Sequence, residues 1–150
     1  MKFNPLIRIG ALALILTSSA CLADDAVIGY VKTVQGAALV VTAGDTVKAE
    51  PGTPVRQSSV LKTGQQASMG ITLKDNTRLS IGPDTEMAVD EFLFNPAQDT
   101  LKLIVNLTRG TLNYVSGLIA KLKPDAVSIK TPTGNIGVRG THFVAKVVAD

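Results

Sequence analysis

Tryptophan is absent, cysteine and histidine occur once each, and aromatic residues make up only 4% of the 150-residue chain. Each shortage removes a class of chemistry. With Cys21 alone, no intramolecular disulfide forms. A Ser-His-Asp or Cys-His arrangement would have to use His142, and no G-x-S-x-G accompanies it. One His and one Cys are also too few for the usual His and Cys metal sites. Sugar-stacking platforms are scarce: only Tyr30, Tyr114 and the four phenylalanines Phe3, Phe92, Phe94 and Phe143 supply rings. The carboxylate pairs Asp24-Asp25, Asp84/Glu86 and Asp90-Glu91 lie at a terminus or flank turns and strands, and they read as solvated surface. The expectation is a protein that is not an enzyme, with no catalytic residues, no cofactor and no metal.

Long apolar runs are equally scarce. The one clear case is Ile9 to Thr17, preceded by Met1-Lys2 and Arg8 and followed by Ser18-Ser19-Ala20-Cys21-Leu22-Ala23. A basic start, a short apolar run and small residues make a secretory signal peptide. The run falls short of the ~20 residues that comfortably span a bilayer. No later stretch is long and apolar enough, so no transmembrane span is expected in the mature chain. Cleavage after Ala23 would leave residues 1–23 as signal peptide and 24–150 as one domain. The alternative is a lipid anchor on Cys21, although Ser18 stands where a lipobox prefers Leu. The expected location is periplasmic or secreted, or membrane-anchored if Cys21 is lipidated.

An excess of one charge is missing too. The formal net charge is +3, but Lys2 and Arg8 leave with the signal, so 13 Lys+Arg then face 12 Asp+Glu. Without a clustered basic surplus, nucleic acid is not an expected partner. The remaining length suffices for one real hydrophobic core.

What is present reads as β. Ala67, Met69, Ile71 and Leu73 alternate with Ser68, Gly70, Thr72 and Lys74; Leu101 to Leu107 and Val127 to Ile129 repeat the pattern. This is the period of a half-buried strand. Turn clusters such as Ala43-Gly44-Asp45, Glu50-Pro51-Gly52, Gly82-Pro83-Asp84 and Thr133-Gly134-Asn135 separate the runs. The fold class is all-β, solenoid-like or a rolled two-sheet domain of short strands, with a β-sandwich as the alternative. Expected core residues are Leu73, Leu79, Ile81, Leu103, Val105, Val127, Ile129 and Phe143. At Asp75-Asn76 a two-residue turn would set the apolar side of one strand against the polar side of the next. An odd loop, such as Asp75 to Thr77, instead aligns Leu73 with Leu79 and Ile71 with Ile81, as a strand turning a solenoid corner. Residues 112–123 read as strand with a single helical turn, ended by Pro124.

The segment Thr131 to Phe143, T-P-T-G-N-I-G-V-R-G-T-H-F, spaces three glycines at intervals of three. It is not a P-loop, because its cation precedes the last glycine and no helix follows. Gly137 and Gly140 flank Val138-Arg139 in a β-branched setting, which points to φ > 0 or close packing at a β corner. Arg139 reads as an internal clamp, with a partner contact as the alternative.

This segment resembles the signature of FecR-type domains, carried by Thr131, Pro132, Gly137, Val138, Arg139, Gly140 and Thr141. Further likeness lies in Val31-Lys32-Thr33-Val34-Gln35-Gly36, and in Leu61, Thr63-Gly64, Ala67, Leu73, Asp75, Thr77, Leu79, Ile81, Pro83 and Thr85. Leu107, Gly110 and Leu112 complete it. The resemblance implies an all-β, solenoid-like extracytoplasmic domain. In sigma regulators such a domain is joined to an anti-sigma segment and a transmembrane helix. Neither is found in this sequence, so the module and not the transmembrane relay is expected to carry over. Its expected partner is an envelope protein; the alternative is a cell-wall glycan or small ligand.

Overall fold

Alternation in the sequence converts directly into burial. In the computed structural model, Met69, Ile71 and Leu73 are buried while Ser68, Gly70 and Thr72 are only partly so. The structure describes residues 26–138 and 142–148. The segment expected to be a signal peptide, Cys21 within it, and the signature residues Arg139, Gly140 and Thr141 lie outside them.

The strands are β1 (Val27–Gln35), β2 (Ala38–Thr42), β3 (Asp45–Lys48), β4 (Pro54–Arg56), β5 (Val60–Thr63), β6 (Ser68–Leu73), β7 (Arg78–Ile81) and β8 (Glu86–Asn95), followed by β9 (Thr100–Val115), β10 (Val127–Thr131), β11 (Gly134–Gly137) and β12 (His142–Val147). The one α-helix among the described residues is α1 (Leu118–Leu122). All strand pairs are antiparallel except β9 with β10. The fold is all-β, and its curled antiparallel sheet is the rolled, two-sheet form of the expected class.

The 16-residue β9 makes the roll. Its first part lies between β8 and β10; its second part, from Gly110 on, lies between β7 and β12. One strand therefore serves both halves. The first half runs β4-β1-β6-β7-β9-β12; the second runs β3-β2-β5-β8-β9-β10-β11. The change of partners falls at Gly110, where φ is +94° and a Cβ would overlap Thr85. Only glycine takes that conformation without strain.

A single apolar cluster fills the roll. Leu73, Leu79, Ile81, Leu103, Val105, Val127 and Ile129 are each exposed by 2% or less. Full burial of such side chains stabilises by about 1.5–3 kcal/mol each. Phe143 departs from the expectation. It is only partly buried, because β12 is an edge strand with a neighbour on one side alone. Its ring stacks on Tyr114 at 4.9 Å between centroids.

The β6–β7 connection corrects one register and keeps its logic. Ile71 pairs with Leu79 and Met69 with Ile81, two residues away from the expected alignment. Leu73 N–H donates to the Thr77 carbonyl at 2.9 Å, so the loop is Lys74-Asp75-Asn76 in a tight hairpin and not a solenoid corner. The odd loop length is as expected, and every second residue from Ala67 to Ile81 is buried straight through the turn. Asn76 supplies the left-handed residue, with φ 69°. In residues 112–123 the strand runs to Val115 and the helical turn follows at once.

Candidate functional site

The buried parity through the hairpin takes in two polar residues, Asp75 and Thr77, each fully buried. Asp75 Oδ1 accepts the Thr77 N–H at 3.1 Å, and Oδ2 accepts the Thr77 hydroxyl at 2.7 Å. Oδ2 also accepts the Ile119 N–H at 3.2 Å, and the Asp75 carbonyl accepts Leu118 N–H at 2.8 Å. The hairpin thus caps α1. Gly117 lies so close to Asp75 and Thr77 that a Cβ would overlap both.

A second clamp joins the halves. Thr63 Oγ1 donates to the Gly82 carbonyl at 2.6 Å and accepts Thr85 N–H at 3.0 Å. Thr85 Oγ1 donates to the Pro83 carbonyl at 3.2 Å and accepts Thr111 N–H at 3.0 Å. Buried backbone groups at the strand corners must find partners, and these hydroxyls provide them. Thr63, Asp75, Thr77 and Thr85 therefore act on the fold. The sequence signal for them is polarity at positions where alternation demands apolar side chains.

Tyr114 sits beside the first clamp, fully buried, and its hydroxyl has no hydrogen-bond partner among the described residues. Burial, and secondarily the Asp75 charge, pushes its pKa up to about 12.

The signature segment forms a hairpin of β10 and β11 around Pro132-Thr133. Thr131 Oγ1 donates to the Gly134 carbonyl at 2.8 Å and tightens the turn. Val138 is buried in the core. Gly137 overturns the reason expected for it: no heavy atom lies near a Cβ built there, and its φ is not in the left-handed range. It is an exposed position on an edge strand, where a side chain has room.

His142 is exposed, its Nε2 donating to Asn113 Oδ1 at 2.6 Å. Glu91 pairs with Lys102 at 3.1 Å and Glu86 with Arg109 at 3.8 Å, all on the surface of β8 and β9. Among the described residues no group of three or more His, Cys, Asp and Glu is placed to hold a metal, and no helix is long and apolar enough to cross a membrane.

Among the described residues four strands have a neighbour on one side only: β3, β4, β11 and β12. The first two are blunted, β3 by Asp45 and Lys48 and β4 by Pro54 and its three-residue length. β11 carries no charge at all. A groove of about 540 Å³ separates it from β12, lined by Asn135, Ile136, Ala145, Lys146, Val147 and Val148 among others. Ile136, Val144 and Val148 are exposed by 38%, 61% and 75%.

Comparison with known proteins gives one match: the model of the FecR protein family covers residues 59–150. It takes in both clamps and the signature hairpin but begins after Val31–Gly36, so that segment's likeness lies outside it. No curated protein and no solved structure matches the chain. The family is regulatory, is associated with envelope signalling and is not known as enzymatic. The matched region exceeds half of the sequence, and the chain belongs to the FecR protein family.

Proposed function

We propose that this protein is a non-catalytic envelope interaction module that captures an extended segment of another envelope protein at the free edge of β11. The carrying observation is that β11 alone among the four free edges lacks both charge and proline and faces a groove with exposed apolar residues. An added strand gains main-chain hydrogen bonds there, and side chains on alternate positions meet Ile136 and the β12 side of the groove. The signature hairpin, held by Thr131 and anchored through Val138, presents that edge.

The reading includes export, with cleavage after Ala23 and a mature chain beginning at Asp24. Intact-mass measurement of envelope-derived protein checks it; a lipidated Cys21 would replace a soluble module with an anchored one.

The binding test is capture from crosslinked envelopes by the tagged protein and by Ile136→Lys. The position is exposed, so the variant should fold, and it should lose the protein that the parent captures. Equal capture by a folded Ile136→Lys would place the contact elsewhere.

A further inference from the structure

The charges of the sheet are sorted by half. The first half, β4, β1, β6, β7, residues 110–115 of β9 and β12, carries Lys32, Arg56, Arg78 and Lys146 and no Asp or Glu. All strand carboxylates, Asp45, Glu86, Asp90 and Glu91, lie in the second half. Asp75, in the first half's hairpin, is buried against Thr77 and Ile119. Residues 24–150 are almost neutral as a whole, so a positive field on one face arises from this sorting and not from net charge.

Register places Tyr30, Thr72, Arg78, Val115 and His142 in one row across the outer face. Ser80 and Asn113 stand beside one another in the next row. Where the face meets α1, a depression of about 390 Å³ takes in Arg78 and Lys121 together with Thr72, Asn76 and Ser116. Neither Arg78 nor Lys121 forms an ion pair among the described residues. Val115, Gly117 and Leu118 complete the lining, whose polar groups are two cations, two hydroxyls and an amide.

That lining selects the partner's chemistry. Protein interfaces centre on aromatic or aliphatic anchors seated in pockets. Here Tyr30 and Val115 only flank a centre made of Gly70, Thr72, Arg78 and Ser80. Two uncompensated cations ask for anions, and an arginine fork binds a carboxylate through paired, charge-assisted hydrogen bonds. Flanking hydroxyl and amide groups both donate and accept, as a polyhydroxyl chain requires. We infer that the outer face of the first half, centred on Arg78 and Lys121, binds an acidic glycan, a saccharide chain bearing carboxylate groups. This face is separate from the β11 edge, and either can fail without the other.

The experiment measures binding of the purified chain to polygalacturonate, uncharged dextran and poly-L-glutamate at low salt. Polygalacturonate should bind, weakening as salt rises, and dextran should not. The double variant Arg78→Ala, Lys121→Ala should lose about tenfold or more, as two charge-assisted contacts imply. Lys130→Ala, an exposed cation of the second half, should change little. Circular dichroism confirms that the variants fold. Ile136→Lys should bind polygalacturonate as the parent does. Tighter binding of poly-L-glutamate would identify an acidic polypeptide partner and overturn the inference. So would absence of polygalacturonate binding, equal binding of dextran, or an equal loss in Lys130→Ala.

Discussion

Asp75 Oδ2 accepts the Ile119 N–H at 3.2 Å, across 44 residues of sequence. A carboxylate in the β6–β7 hairpin therefore holds the first turn of a helix that follows β9. A five-residue helix cannot sustain itself, since isolated helices shorter than ~12 residues are marginal in water. Its existence depends on this contact and on burial of Ile119 and Ala120.

Replacing Asp75 with Ala should accordingly be severe. The Thr77 N–H and hydroxyl and the Ile119 N–H lose a shared acceptor inside the core. Each buried unsatisfied group costs about 1–3 kcal/mol. Asp75→Asn retains one oxygen acceptor and should lose less. Urea unfolding of the two variants checks the order; an equal loss would mean that the site is valued for volume and not for its hydrogen bonds.

The glycines divide into those the backbone needs and those it does not. Gly110→Ala forces a positive-φ residue with a Cβ into Thr85, so it should destabilise by about 2 kcal/mol or more. Gly137→Ala meets nothing and needs no special φ, so it should be neutral or stabilise by up to about 1 kcal/mol. Thermal melts of the pair give the contrast directly. A Gly137→Ala melt as depressed as that of Gly110→Ala would restore the corner role expected from the sequence.

Tyr114 predicts a loss of stability in alkali. Its folded-state pKa, about 12, exceeds the unfolded value near 10. The folded state keeps the phenol protonated where the unfolded state has released the proton. The corresponding stability is complete below pH 10 and is lost as pH rises towards 12. Tyr114→Phe should remove this component while leaving stability at neutral pH equal or up to ~1 kcal/mol higher, because the hydroxyl has no partner among the described residues. Denaturant midpoints of parent and variant at pH 8 and pH 11 test both halves of the claim.

Period-two alternation was enough to read the fold class and most of the core, because a half-buried strand writes its burial into every second residue. Hairpin parity was legible for the same reason: only an odd loop keeps Ile71 and Leu79 on one side. The alignment within that parity was not legible. Shifting by two residues leaves every side chain on its correct face, so the pattern cannot distinguish the two registers. Phe143 was misplaced because edge position is a property of topology, and the sequence of β12 reads like that of an inner strand. The clamps Thr63–Thr85 and Asp75–Thr77 were recognisable as motif residues, but their internal role needed contacts between segments up to 44 residues apart. The sorting of charge by half was hidden for a related reason. Lys32, Arg78 and Lys146 are far apart in sequence and meet on one face only once β9 has divided the sheet.

Sharing β9 between the halves ties their fates together. Amide protons along this strand should exchange only when the whole domain opens, since neither half can detach while the other keeps its central strand. Traction on β12 would likewise reach β8 through one continuous backbone, with the bend at Gly110 as the place for the two halves to pivot. A partner gripping one face could thereby reorient the other without either sheet coming apart.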